Sequence, residues 1–267
     1  QHTHLTGSNY TYENIVYGRT LSDKERSLKT LPKINKKPIT TELGNVTPII
    51  VHPGNWSTSE IKHQAKKIVT AKLNNSGFNC IAAQVVVLPK GWKYTERLKK
   101  EIKHYLRKVG DTTSYYPGSN ETLDELIDTD NYEQINNLSC NTPFLVSDLD
   151  LEVEYGDKEV WSTALFFKEI SYNSYEDFCT NSINYVNDEL WGNLGVTVLI
   201  KNYKKKNNND IFIMSKGHGC MSQYVVLENK GILTERNQNT GLMNFTFKIN
   251  IEYSCVNFES LTKKSKW

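Results

Sequence analysis

Two short apolar runs flank a capped amphipathic helix, and this strand–helix–strand unit constrains the fold more than any other feature. The first run, residues 47–51, is rich in β-branched side chains and is followed by the turn residues Pro53-Gly54. The second run covers residues 81–88. Between them, Ser57-x-x-Glu60 has the pattern of a helix capping box, and apolar residues then recur with the 3.6-residue period of a helix. The unit therefore predicts two buried strands joined by a helix.

The rest of the first 200 residues continues this alternation of strands and helices. The patterns predict helices over about 95–109 and after Ser174, and strands over 161–170 and 194–200. Residues 110–147 are rich in turn-forming residues and are predicted to be mostly loop with short elements. The order of elements favours an α/β layer architecture.

The composition is that of a soluble globular protein, with 38% hydrophobic and 23% charged residues. A formal charge of +2 gives no reason to expect nucleic acid or an anionic membrane as a partner. The Lys-rich segment 201–210 is predicted to be an exposed loop, since charge runs are usually solvated. No apolar run approaches the roughly 20 residues needed to span a bilayer, so we expect no membrane span.

Cysteine usage and the first residues indicate the compartment. The sequence has five Cys, an odd number without the spacing of a disulfide framework, and residues 1–4 lack the apolar segment of a signal peptide. We therefore expect a reducing, cytoplasmic location. No metal site is predicted, because His218 and Cys220 are too few ligands and His63 has no second His four residues later.

Cys80 and Glu42 are the candidate chemical groups. Cys80 follows a helix and a Gly-containing turn and directly precedes an apolar strand, where α/β proteins expose functional side chains. The alternative is a buried thiol acting as a small hydrophobe, as we expect for Cys140, Cys179 and Cys255. Glu42 lies between a loop and a buried strand, where it is either a general base or an exposed loop carboxylate.

Two motifs together resemble the aldehyde dehydrogenase superfamily. Residues 42–48, Glu-Leu-Gly-Asn-Val-Thr-Pro, resemble the family's Glu-Leu-Gly-Gly-x-x-Pro, and residues 75–80, Asn-Ser-Gly-Phe-Asn-Cys, resemble its Asn-x-Gly-x-x-Cys. Thr6-Gly7-Ser8 resembles the family's Thr-Gly-Ser turn, and Glu159-Val160-Trp161 stands where the family has Glu-x-Phe. Residues 187–192 resemble its Asn-x-x-x-x-Gly stretch, so the resemblance covers about residues 4–200.

The resemblance implies a mechanism and a cofactor. Cys80 would attack an aldehyde as thiolate, and the thiohemiacetal would become a thioester when hydride passes to NAD or NADP. Glu42 would activate the water that hydrolyses this thioester, and the Cys80 N–H would be an oxyanion donor. Cofactor contacts are implied for Gly7 and Ser8 with the pyrophosphate, Glu159 with the nicotinamide ribose, and Trp161 beside it.

The sequence also departs from the family pattern. The family's second Gly after the Glu is Asn45, and the Gly-Pro after its Glu-x-Phe is Ser162-Thr163. The family's Rossmann-like strands, its cofactor Lys and its second oxyanion donor would all precede residue 1. We therefore expect a three-layer α/β catalytic domain at 41–200, a remnant of the NAD(P)-binding domain at 1–40, and a divergent tail at 201–267.

Other functions remain open at this point. An acyl-CoA reductase of the same superfamily would use the same thiol with hydride flowing in the opposite direction. A non-catalytic truncated remnant and a cofactor-independent thioesterase are the remaining alternatives. The resemblance implies a small-molecule aldehyde as substrate and a homo-oligomer for the full-length protein.

Overall fold

The computed structural model describes residues 3–26, 28, 30–129, 131–135, 142–149, 159–192 and 194–201. Its strands are β1 (Thr3–Thr6), β2 (Ile39–Glu42), β3 (Thr47–Val51), β4 (Ala83–Pro89), β5 (Glu133–Gln134), β6 (Leu145–Asp148), β7 (Leu165–Ile170) and β8 (Thr197–Leu199). Its helices are α1 (Asn9–Tyr17), α2 (Asp23–Arg26), α3 (Thr58–Leu73), α4 (Thr95–Leu106), α5 (Ser119–Asp128) and α6 (Tyr175–Asn184), with a 3₁₀ turn at Asn74–Gly77 and a π turn at Tyr185–Glu189.

The main sheet has six strands in the order β5-β6-β7-β4-β3-β8. All its pairings are parallel except that of β5 with β6. Strands β1 and β2 form a separate two-stranded parallel sheet. Every residue of the central strands β3 and β4 is buried, as expected where helices cover both faces of a parallel sheet.

The strand–helix–strand unit predicted from the sequence is confirmed. Helix α3 begins after Ser57, whose hydroxyl accepts a hydrogen bond from the Glu60 N–H, while the Glu60 carboxylate accepts from the Ser57 N–H. This reciprocal cap satisfies two backbone donors that the helix itself leaves without partners. The unit returns β4 to lie beside β3, with Thr47 opposite Ala83.

Side chains alternate between the two faces of the sheet and build two cores. On one face, Val86 and Leu88 of β4 pack with the apolar sides of α3 and α4. On the other, Val85 and Val87 pack with residues of α5 and α6, including Phe178. Helix, sheet and helix therefore form three layers, and the fold class predicted from the sequence is confirmed.

Several predicted element boundaries were wrong. Helix α4 ends at Leu106 rather than near residue 109, and β7 begins at Leu165 rather than 161 because residues 162–163 form a bend. The ten-residue helix α5 lies where mostly loop was predicted, since it begins after Gly118 without a side-chain cap. The expectations for Cys140 and for residues 202–267, which include His218, Cys220 and Cys255, lie outside the described residues. No described helix combines the length and apolarity needed to cross a membrane.

Candidate active site

Four loops meet at the end of the main sheet where its parallel strands begin. Strands β7, β4, β3 and β8 are parallel neighbours, so the segments that enter them lie together at their amino-terminal ends. These segments are residues 43–46, 78–82, 159–164, and 190–192 with 194–196. They belong to motifs that were matched in the sequence. Motifs far apart in the chain are thus collected by the order of the strands.

The turn before Cys80 has an unusual backbone. Asn75 and Ser76 adopt φ values of 53° and 56°, and Gly77 follows at 86°. Left-handed conformations cost non-glycine residues of order 1–2 kcal/mol each, and such strain clusters at functional sites. The Asn79 side chain stabilises the turn by donating a hydrogen bond to the Asn74 carbonyl at 3.2 Å.

Cys80 itself lies in the tight turn that closes when the Ala82 N–H donates to the Asn79 carbonyl at 2.9 Å. The residue is half-buried, whereas Cys179 on α6 is buried. The expectation that Cys179 is a buried thiol is confirmed. Cys80 is therefore presented on a loop held between α3 and β4, which is the position predicted from the sequence.

Glu42 ends β2 and connects the two sheets. Its backbone is paired with Thr6, and its carbonyl accepts a hydrogen bond from the Gly7 N–H at 3.1 Å. The residue is half-buried. The chain then passes Gly44, where an added Cβ would lie 2.7 Å from the Trp161 ring and 2.8 Å from the Glu159 carboxyl carbon. A larger residue there would have to displace the Trp161 or Glu159 side chain, so this part of the Glu motif has a steric cause.

The four residues predicted to bind the cofactor lie together at the start of α1. Ser8 caps this helix by accepting from the Thr11 N–H at 3.2 Å. Glu159 Oε2 accepts from the Asn9 N–H at 3.1 Å and from Trp161 Nε1 at 2.8 Å. Burial raises the pKa of Glu159, and the hydrogen bonds from Trp161 and Asn9 act against that rise.

An aromatic stack joins this cluster to the Cys80 turn. The Trp161 ring stacks on Tyr116 with centroids 4.8 Å apart and planes 12° from parallel, and Tyr116 stacks on Phe78 at 5.7 Å and 18°. A Cβ on Gly77 would lie 2.6 Å from the Ser162 carbonyl oxygen, so the two segments are also in close backbone contact. The structure therefore links the Cys motif to Glu159, and Gly44 links the Glu motif to the same residue.

Two residues of this cluster, Tyr116 and Gln84, were not predicted from the sequence. Tyr116 lies in the region predicted to be mostly loop, and nothing in its local pattern marks it for a stacking role. Gln84 is a buried polar residue in the middle of an apolar run, and its Oε1 accepts from the Val160 N–H at 2.9 Å. A buried amide within an apolar strand was the signal for Gln84, because such a group needs a specific partner.

Asn45 stands where the family pattern has its second Gly, and it has a structural role. Its side chain donates to the Gly195 carbonyl at 3.3 Å and accepts from the Leu194 N–H at 3.2 Å. The neighbouring Val46 N–H donates to the Trp191 carbonyl at 3.2 Å. Asn45 thus ties the Glu loop to the segment that enters β8.

The space between these segments is small. Residues lining it include Gly77, Asn79, Gln84, Glu159 and Trp161. The centre of a water molecule can occupy about 10 Å³ of this space, so the space holds about one water molecule. In the residues that the structure covers, no group of three or more His, Cys, Asp or Glu side chains could hold a metal ion, and His63 is exposed on α3.

No protein-family model matches the sequence, and no curated protein matches it at a significant level. Solved structures do match. An NADP-dependent glyceraldehyde-3-phosphate dehydrogenase from Bacillus halodurans C-125, complexed with NADP, has a TM-score of 0.54 and 17% identity, covering 76% of this chain and 40% of its own. An aldehyde dehydrogenase from Physcomitrella patens, in complex with the reaction product succinate, has a TM-score of 0.53 and 13% identity, with coverages of 76% and 40%.

An indole-3-acetaldehyde dehydrogenase complexed with NAD+ matches with a TM-score of 0.53 and 15% identity, covering 75% of this chain and 40% of that one. At these identities the similarity establishes the fold alone. The chain shares the fold of part of these dehydrogenases and spans about 40% of their length.

Proposed function

We propose that this chain carries the thiol centre of an NAD(P)-dependent aldehyde dehydrogenase, which oxidises an aldehyde to a carboxylic acid. One observation carries the proposal. The Glu and Cys motif segments both contact the Glu159–Ser162 segment, through Gly44 and Gly77 respectively. The similarity of fold to dehydrogenases of this class supports the same chemistry. Because the chain spans about 40% of those proteins, the activity is a proposal for the protein to which this site belongs.

Cys80 is the proposed nucleophile. Its thiolate sulfur would form a bond to the aldehyde carbon, and the carbonyl oxygen would become the oxyanion of a thiohemiacetal. No described residue accepts a hydrogen bond from the Cys80 N–H, so this donor is available to the oxyanion. Cys80 is half-buried rather than fully enclosed, as a nucleophile that must meet a substrate requires.

Loss of the aldehydic hydrogen with its electron pair would convert the thiohemiacetal into a thioester. NAD(P)+ supplies the hydride acceptor when it is bound. The groups that would hold it are the N-terminus of α1 after Gly7 and Ser8, the Glu159 carboxylate and the Trp161 ring. A helix N-terminus suits a diphosphate, and a carboxylate suits a ribose diol, so the residue types fit the cofactor.

Glu42 is the proposed general base for the second half of the reaction. Its carboxylate would take a proton from water as the water oxygen attacks the thioester carbon. The C–S bond then breaks, releasing the carboxylic acid and regenerating the Cys80 thiolate. General-base assistance of this kind is worth about 10²–10⁴-fold in rate.

The test compares wild type, Cys80→Ser, Glu42→Gln and the control Cys179→Ser. Each is incubated with short aliphatic and aromatic aldehydes and NAD+ or NADP+, and NAD(P)H is followed by absorbance. We expect turnover in wild type and in Cys179→Ser, and none in Cys80→Ser. Glu42→Gln should lose about 10²–10⁴-fold in steady-state rate and accumulate an acyl group on Cys80, seen by peptide mass spectrometry.

Turnover retained by Cys80→Ser would overturn the proposal. Reaction with acyl-CoA and NADPH, but not with aldehyde and NAD(P)+, would assign the same thiol to acyl-CoA reduction instead. If every variant is inactive with both substrate pairs, this chain is not a catalyst by itself.

A further inference from the structure

We propose that copies of this chain associate head to tail, with the acidic helix α5 of one copy lying on the basic surface of α3 and α4 of the next. The formal charge of the whole chain is only +2, but the described helices separate the two signs. The association goes beyond the proposed function and does not depend on it, because none of the residues involved belongs to the candidate active site.

The basic surface is the outward side of α3 and α4, which pack side by side on one face of the main sheet. The exposed cations of these two helices are Lys62, Lys66, Lys67, Arg97 and Lys100. Of their carboxylates only that of Glu96 is exposed, while Glu60 and Glu101 are half-buried. The exposed charge of the two helices is therefore strongly positive.

The cations of the basic surface are crowded and lack anionic partners. None of these five side chains makes an ion pair within the part of the chain that the structure describes. The Tyr105 ring brings the two helices together, because the Lys66 ammonium lies 5.3 Å from its centroid and that of Lys108, just after α4, lies 5.7 Å from it. Lys62 and Lys66 are one helical turn apart, and like charges so placed destabilise a helix. An anionic partner would relieve this repulsion.

Helix α5 carries the opposite charge on the opposite face of the sheet. Its Leu123 and Leu126 are buried in the core of that face. Four exposed carboxylates recur at i, i+3, i+4 and i+7, which places them along one side of the helix. They are those of Glu121, Asp124, Glu125 and Asp128. The helix contains no Lys or Arg, so this row forms an acidic stripe.

A second copy of the chain is the partner that fits both surfaces. At a rise of 1.5 Å per residue, the acidic stripe is roughly 10 Å long and the α4 row from Arg97 to Lys108 roughly 16 Å, so one can lie along the other. The two surfaces lie on opposite faces of the sheet and cannot pair within one copy, so their contact is heterologous and repeats from copy to copy. A nucleic acid fits less well, because the acidic stripe and a total charge of only +2 oppose the long-range attraction of phosphates.

Sedimentation velocity of the full chain over a range of concentrations tests the contact. Runs at about 0.05 M and about 0.5 M NaCl shorten the Debye length from roughly 14 Å to roughly 4 Å. One double variant, Lys66→Glu with Lys100→Glu, neutralises the basic surface and leaves α5 intact. A second, Asp124→Lys with Asp128→Lys, neutralises the acidic stripe and leaves the basic surface intact.

The matched control is Lys36→Glu with Lys37→Glu, at exposed positions in the loop before β2. It changes the net charge by the same amount as the basic-surface variant but alters neither surface. Circular dichroism checks that every variant is folded.

We expect wild type and the control to associate at low salt, with an apparent Kd that rises by about tenfold or more at high salt. Each double variant alone should be monomeric. Their mixture should form a 1:1 complex and no larger species, because the intact α5 of one meets the intact basic surface of the other.

The head-to-tail contact is overturned if wild type stays monomeric at low salt, if either double variant associates as wild type does, or if the mixture stays monomeric. A fluorescein-labelled single-stranded RNA is titrated in the low-salt buffer as well. RNA that binds a monomeric wild type, but not the Lys66→Glu, Lys100→Glu variant, would assign the basic surface to nucleic acid instead.

Discussion

Gly77 packs so closely against Ser162 that a methyl group at position 77 would lie 2.6 Å from the Ser162 carbonyl oxygen. This contact joins the Cys80 turn to the segment that carries Glu159 and Trp161. Gly77 also has a φ of 86°, which L-residues rarely adopt. Two independent constraints therefore require glycine at this position.

Gly77→Ala should lower the free energy of unfolding by about 2–4 kcal/mol, since it combines a backbone clash with a left-handed conformation. Urea denaturation measures this change. The matched control is Gly110→Ala, because nothing lies within 4 Å of a Cβ at position 110. The control should stay within about 1 kcal/mol of wild type. Equal effects of the two substitutions would show that the 77–162 contact is not formed.

Lys72 is fully buried in the last turn of α3, and burial lowers its pKa to about 7. Its Nζ has no hydrogen-bond partner in the described part of the chain. Between about pH 7 and 10.5, the ordinary pKa of a lysine, the unfolded chain holds a proton on this amine that the folded chain does not. The free energy of unfolding should therefore rise with pH across this window.

Lys72→Met removes that pH dependence and should raise the free energy of unfolding at pH 7 by about 2–5 kcal/mol. Denaturation at pH 7 and pH 10 measures the slope. Lys62→Met, at an exposed position of the same helix, is the control and should change stability by about 0.5 kcal/mol or less. A Lys72→Met protein that is less stable than wild type at pH 7 would contradict the burial of an unpaired amine.

Asn45 holds the segment that enters β8, through its bonds to Gly195 and Leu194. Asn45→Gly restores the family pattern but should lower the free energy of unfolding by about 1–3 kcal/mol, because it removes these bonds and adds backbone freedom. Asn45→Asp keeps the acceptor but places a carboxylate oxygen against the Gly195 carbonyl at a buried position, so it should destabilise at least as much as Asn45→Gly. Thermal unfolding of the three proteins would refute this role if Asn45→Gly matched or exceeded the stability of wild type.

Cys80 and Cys179 differ in exposure, which predicts a difference in alkylation. In the native protein, iodoacetamide should label the half-buried Cys80 at least about tenfold faster than the buried Cys179, whose reaction needs local opening. Peptide mapping over time gives both rates. In concentrated urea the two rates should converge. Faster labelling of Cys179 than of Cys80 in the native protein would contradict the burial of the two thiols in this structure.

Periodicity and capping were enough to predict the core of the fold. The Ser57 cap, the α3 face and the apolar strands around it are local signals, and each appears in the structure where the sequence placed it. Helix α5 was missed because a glycine, rather than a side-chain cap, precedes it. Local patterns also do not determine the order of the strands in the sheet. That order places the Glu and Cys motifs beside each other, at the ends where β3 and β4 begin.

The candidate site was predictable only as a set of residues. The motifs identified Glu42, Cys80, Glu159 and Trp161. In the structure, the segments that carry these residues lie in contact with one another. The bond from Asn9 to Glu159 spans 150 residues, and the stack of Trp161 on Tyr116 also depends on tertiary packing. Neither leaves a local signal in the sequence.

The acyl state of Cys80 tests the central claim most directly. Glu42→Gln protein is mixed with an aldehyde and NAD+ or NADP+, quenched in acid, digested, and examined by mass spectrometry for an acyl group on each Cys. The account predicts an acyl group on Cys80 that is absent without the dinucleotide and absent from the Cys80→Ser, Glu42→Gln double variant. Aldehyde-dependent NAD(P)H formation without acylation of Cys80, or acylation confined to another Cys, would contradict it.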